Sequence, residues 1–122
     1  MLNIRKTIND KLQKEVYDMK FLAVTACPSG VAHTYMAAEA IQVACEKAGV
    51  ECKVETQGSI GVENVITEAD VASADACILT TDMPIKNKER FANIPKVEIG
   101  ISPAIKQADA IVAKMIKMLE AK

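Results

Sequence analysis

Apolar and polar positions change their period several times along this chain. Residues 21–26, Phe-Leu-Ala-Val-Thr-Ala, form a short apolar run closed by a turn-like Cys-Pro-Ser-Gly, which predicts a buried strand. From Val31 to Ala48 the spacing becomes helical. Ala37, Ala38, Ile41, Ala44, Cys45 and Ala48 recur three and four apart, opposite Glu39, Gln42, Glu46 and Lys47. Gly49 then occupies the usual stop position. Residues 51–56 alternate as a strand, and the polar, glycine-containing stretch 57–66 reads as a loop. Thr67 with Asp70 three residues on predicts a capped short helix through about Ala74. An apolar strand follows at 76–81 and a fourth strand at 96–99, separated by a charged connection with a helical turn near Arg90. Ser102 as N-cap and Pro103 as first helical residue predict the start of a last helix, with its stripe at Ile105, Ala108, Val112, Met115, Ile116 and Leu119.

Strands alternating with helices predict an α/β fold: a four-stranded parallel sheet with helices on both faces. The expected strand order is 2-1-3-4, as in a flavodoxin-like or Rossmann-like three-layer sandwich. The folded unit then spans residues 20–122. Residues 1–19 stand apart as an extension. Ile4, Ile8, Leu12 and Val16 repeat every four positions with charges between them, which predicts an amphipathic helix. Such a helix either docks on the domain or is the remnant of a linker.

Composition narrows the function. The chain has 122 residues, enough for one domain to bury a core without disulfides or metal. Two Phe, two Tyr and no Trp mean that this core is built from Ala, Val, Ile, Leu and Met. A net charge of −1, with no basic stripe, argues against a nucleic-acid partner. No apolar run approaches the ~18 residues of a membrane span, and the charged N-terminus has no apolar signal core. The expected location is the cytoplasm. Four cysteines without a C-x-x-C pair, and a single histidine, predict neither a metal site nor a disulfide framework. Cys45, Cys52 and Cys77 fall in predicted elements and read as small core residues.

Cys27 is different, because it sits in the loop Cys27-Pro28-Ser29-Gly30-Val31-Ala32-His33-Thr34, after the first strand and at the opening of the first helix. In open α/β sheets, ligands bind beyond the C-terminal strand ends, where strand order reverses. A helix start presents backbone N–H groups without intrahelical partners and the positive end of the helix dipole. It therefore favours a phosphate, and a thiolate over a thiol. Gly30 allows close backbone approach, and Ser29 and Thr34 offer hydroxyls. The residues alone leave three readings open. One is a cysteine nucleophile that accepts a phosphoryl group. Another is a binding module for a small anion with Cys27 incidental. The third is a phosphatase-like hydrolase, whose C-x5-R-[S/T] loop has this spacing but an Arg where His33 stands; its bidentate grip on phosphate is missing here.

The run Ala-Val-Thr-Ala-Cys-Pro-Ser-Gly-Val-Ala-His-Thr-Tyr-Met-Ala-Ala-Glu-Ala at 23–40 closely resembles the IIB component of the fructose-type bacterial sugar phosphotransferase system. Val54-Glu55-Thr56-Gln57-Gly58-Ser59, Ala74-Asp75 and Arg90-Phe91 extend the resemblance over about residues 20–120. Ile85-Lys86-Asn87 stands where many members carry Val-Asp, and the loop is longer, which points to a fructose-like branch. The resemblance implies that Cys27 is a phosphocysteine intermediate. It also implies a IIA phosphohistidine protein as donor, a sugar bound by a membrane IIC permease as acceptor, and no cofactor.

Overall fold

The computed structural model describes residues 6–9, 14–17, 19–27, 31–58 and 61–120, with backbone alone at 6–9, 14–17, 31 and 120. Its central strand, β3 (Lys20–Ala26), is buried on both faces from Phe21 onward. The elements before it are β1 (Lys6–Asn9) and β2 (Lys14–Tyr17), which pair with each other antiparallel. This corrects the amphipathic helix predicted from the four-residue apolar repeat. Ile8 and Val16 instead belong to facing strands, in which local spacing yields to cross-strand pairing.

After β3 come α1 (Val31–Ala48), β4 (Glu51–Gly58), β5 (Gly61–Glu63), α2 (Glu68–Ser73) and β6 (Ala76–Thr80). A 3-10 turn at Lys88–Phe91 leads to β7 (Lys96–Ile99), α3 (Ile101–Lys106) and α4 (Ala108–Glu120). The sheet runs β5-β4-β3-β6-β7. Its four parallel strands stand in the expected 2-1-3-4 order, and β5 adds an antiparallel edge. That hairpin corrects the loop expected over 57–66. Gly61, at φ +114°, adopts a backbone that side-chain-bearing residues rarely reach, and it pairs with Gly58 at the turn.

Each strand face feeds a separate core. Phe21 and Ala23 of β3 pack with Ile41 and Cys45 of α1 and with Ala104, Val112 and Met115 from α3 and α4. Leu22, Val24 and Ala26 face the other way and pack with Ile66, Cys77, Leu79 and Phe91. The two clusters account for three layers.

The local signals account for most helix ends. Gly49 has φ +77°, its N–H reaches the Glu46 carbonyl, and the Val50 N–H reaches the Cys45 carbonyl, closing α1 in a Schellman motif. Thr67 and Asp70 form the expected capping box on α2. The last helix departs from expectation. It begins at Ile101 rather than after a Ser102 cap, because the Asp82 carboxylate accepts the Ile101 N–H at 2.6 Å. Pro103 falls inside the first turn, where its missing N–H is harmless. The chain bends at Gln107, dividing α3 from α4.

Candidate functional site at the end of the central strand

Cys27 directly follows β3, with parallel strands β4 and β6 on its two flanks, and is 8% exposed. The site therefore lies where the strand order reverses, and α1 begins four residues later. Pro28, Ser29 and Gly30, and the Val31 side chain, lie outside the described residues. Ala32 and His33 are exposed on the first turn of α1. Thr34 is buried, and its carbonyl accepts the Thr25 hydroxyl at 3.1 Å, which fastens the helix start to β3.

The backbone just before Cys27 is held on both sides. The β3–β6 register ends at Val24 opposite Leu79. Beyond it a side chain takes over from the ladder. The buried Thr80 hydroxyl accepts the Ala26 N–H at 2.9 Å and donates to the Ala26 carbonyl at 3.3 Å. On the other flank Ala26 pairs in register with Gln57.

A buried polar network stands beside Gln57. Glu55 is 1% exposed. Arg90 Nη1 donates to Glu55 Oε1 at 2.8 Å and Nη2 to Oε2 at 3.1 Å, a two-pronged ion pair. Arg90 also donates to the carbonyls of Ile66, Lys86 and Asn87. Its guanidinium carbon lies 4.8 Å from the Phe91 ring centre. Burial alone would raise the Glu55 carboxyl. Hydrogen bonds from Arg90, Gln57 and the Ile66 N–H, with the Arg90 charge, outweigh burial and hold it below its ordinary value. Gln57 spends its whole amide: Oε1 accepts the Lys86 N–H at 2.8 Å, while Nε2 donates to the Lys86 carbonyl at 3.1 Å and to Glu55 at 2.7 Å.

The remaining cysteines are thiols packed in the core or at its margin, as their sequence positions implied. A hydrogen bond with Cys45, then burial, pushes the half-buried Cys52 thiol far up. Burial pushes the Cys77 thiol up to about 12. Cys52 and Cys77 are therefore weak nucleophiles at neutral pH. Sequence reasoning included Glu55, Gln57 and Arg90 only as matched residues. Their network joins positions 35 residues apart, which no local spacing reveals. Among the described residues, no helix is long and apolar enough to cross a membrane.

Comparison with known proteins adds a family to this geometry. Residues 22–114 match the family described as "PTS system, Lactose/Cellobiose specific IIB subunit". The chain is a member of the IIB family of the sugar phosphotransferase system. It is 62% identical over 96 residues to the fructose-like EIIB component 2 of Escherichia coli K12, covering 79% of this chain and 91% of that protein. The solution structure of an enzyme IIB subunit from Escherichia coli K12 superposes with a TM-score of 0.81 at 38% identity, over 85% of this chain and 96% of that one. The fructose-like EIIBC component of Escherichia coli K12 is 42% identical over 99 residues, 80% of this chain but 20% of that longer protein. As a IIB component of the fructose-like type, this protein is a phosphotransferase component that takes part in phosphoryl transfer during sugar transport. IIB components work with IIA and IIC partners, and fusion of B and C units in one relative reflects that cooperation.

Proposed function

We propose that Cys27 carries the phosphoryl group from a IIA phosphohistidine to a sugar, fructose or a fructose-like one, bound by a membrane IIC permease. The observation that carries this reading is the position of Cys27. It ends the central strand at the reversal of strand order, directly ahead of an 18-residue helix. In the first step the phosphorus–nitrogen bond of the donor breaks as a bond forms to Cys27 sulfur, and the departing imidazole takes up a proton. In the second, the sulfur–phosphorus bond breaks as a sugar hydroxyl binds phosphorus. That hydroxyl loses its proton and the thiolate returns. The segment Pro28, Ser29, Gly30, Val31, Ala32, His33 and Thr34 holds the phosphate at the helix start through the backbone N–H groups that follow Pro28, which has none of its own. The reaction runs on the cytoplasmic side of the permease and needs no cofactor.

The test is to phosphorylate the protein with a phosphorylated IIA component and map the label by peptide mass spectrometry. A phosphate on the peptide containing Cys27, discharged on adding membranes with IIC and sugar, supports the reading. A label on His33, or none at all, overturns it.

The same reading assigns transfer to residues 20–122 and leaves residues 1–19 as an extension. Met19 is already buried in the core formed by β3 and α1. A chain beginning at Met19 is expected to accept and pass phosphate within about twofold of the full-length rate, an ordinary margin for a segment outside the reacting groups. A tenfold drop in a folded truncated chain would place the extension in the transfer machinery.

A further inference from the structure

A buried ion pair is weak evidence for stability, because desolvating two charges offsets most of their attraction. Glu55 is nevertheless kept inside, paired with a mostly covered Arg90, on the flank of the strand that leads to Cys27. Their shared product is the placement of one segment. Arg90 grips the carbonyls of Lys86 and Asn87, and Gln57 binds the Lys86 backbone through both its carbonyl and its N–H. Asn87 is held in a left-handed conformation at φ 57° within this grip. Ile85 and Phe91, at the two ends of the segment, pack in one cluster with Ala26. Gln57 is also the register partner of Ala26. Residue 26 therefore takes its strand pairing from Gln57 and its apolar cover from the segment that Gln57 and Arg90 hold.

We propose that Glu55, Gln57 and Arg90 are positioning residues for Cys27: they clamp segment 85–91 against the end of β3 and so fix the reacting sulfur from behind. None of the three takes part in bond making. The inference rests on the reading of Cys27 as phosphoryl acceptor, and its physical basis is the steep dependence of transfer on placement. A displacement of about 1 Å at the reacting atom costs on the order of 100-fold.

Two variants separate positioning from folding. Gln57→Leu keeps side-chain bulk and removes the clamp on Lys86. Glu55→Gln with Arg90→Met removes both charges together, so no buried charge is left unpaired, and Gln retains an acceptor for the Ile66 N–H. Transfer from phosphorylated IIA is followed over a range of donor concentrations, per folded molecule counted by circular dichroism. Both variants are expected to lose about tenfold or more in maximal rate, with the half-saturating donor concentration unchanged. In parallel, iodoacetamide labelling of Cys27, read by peptide mapping, is expected to change by at least about threefold, since thiol reactivity follows its surroundings.

A maximal rate equal to wild type in folded variants overturns the proposal. So does a rise in half-saturating concentration alone, which would make the segment a donor-docking element. If wild-type Cys27 carries no phosphate, the carrier reading fails by itself; the labelling arm still decides this inference, and an unchanged labelling rate overturns it.

Discussion

Cys27→Ser is expected to lower phosphoryl acceptance from IIA by about 10³-fold or more while leaving the fold intact. The substituted position is a small, nearly buried one at a strand end, and serine fits the same volume. The chemistry does not survive the exchange. A thiolate is an accessible nucleophile near neutral pH, and its sulfur leaves readily in the second step, whereas a serine alkoxide is neither. Cys45→Ser and Cys77→Ser give the control. Both side chains are fully buried in the two cores, so these variants test folding rather than transfer. Whichever of them folds is expected to accept phosphate at a rate close to wild type. The measurement is transfer of labelled phosphate from IIA, with acid and base stability of the adduct distinguishing a thiophosphate from an ester. Near wild-type labelling of a thiol in Cys27→Ser would move the acceptor to another cysteine.

Arg90→Leu is expected to cost about 3–5 kcal/mol of stability at pH 7, the range for breaking a buried ion pair and stranding one partner. The stranded group is Glu55, at the side chain of which only Gln57 and the Ile66 N–H would remain. The pH dependence gives the cause away. In the wild type the folded Glu55 carboxyl lies below its ordinary value. Its contribution is complete above the unfolded value of about 4.3 and is lost as pH falls through the lower folded value. Without Arg90, burial dominates and raises the folded carboxyl above the unfolded one. The penalty is then full at neutral pH and fades as pH falls through the raised folded value toward the unfolded one, below which the carboxyl is protonated in both states. The stability gap between wild type and variant is therefore expected to narrow on acidification. Urea unfolding at pH 7, 5 and 4 measures it. A loss below about 1 kcal/mol, or a gap independent of pH, would mean that the pair contributes little and that Arg90 acts mainly through its carbonyl contacts.

These two predictions draw on differently legible parts of the molecule. The position of Cys27 follows from short-range signals. An apolar run, a proline and glycine turn and a three-to-four periodicity place a cysteine between a buried strand and a helix. The sheet order of the parallel strands follows from the alternation of elements, because parallel crossovers admit few topologies. The Glu55–Arg90 pair was not legible in the same sense. Alternation along β4 puts Lys53, Glu55 and Gln57 on one polar side. Lys53 does reach outward, to Asp70 at 2.7 Å. Glu55 and Gln57 are buried because segment 85–91 folds over that end of the strand, and nothing within β4 announces it.

By itself, the sequence determined the elements whose causes are local: the buried run of β3, the Schellman end of α1 at Gly49, the capping box on α2 and the seat of Cys27 between strand and helix. Each depends on groups within a few residues of one another, so the chain carries the information where it is used. Only the tertiary structure decided the rest. It turned residues 6–9 and 14–17 into paired strands, added β5 at the sheet edge, moved the start of α3 to Ile101 through Asp82, and closed the Glu55–Gln57–Arg90 clamp behind the site. In the two hairpins the deciding pair comes from the facing strand, and for Asp82 and the clamp the deciding hydrogen bond comes from a distant segment, so its free energy exists only once the chain has brought the two together.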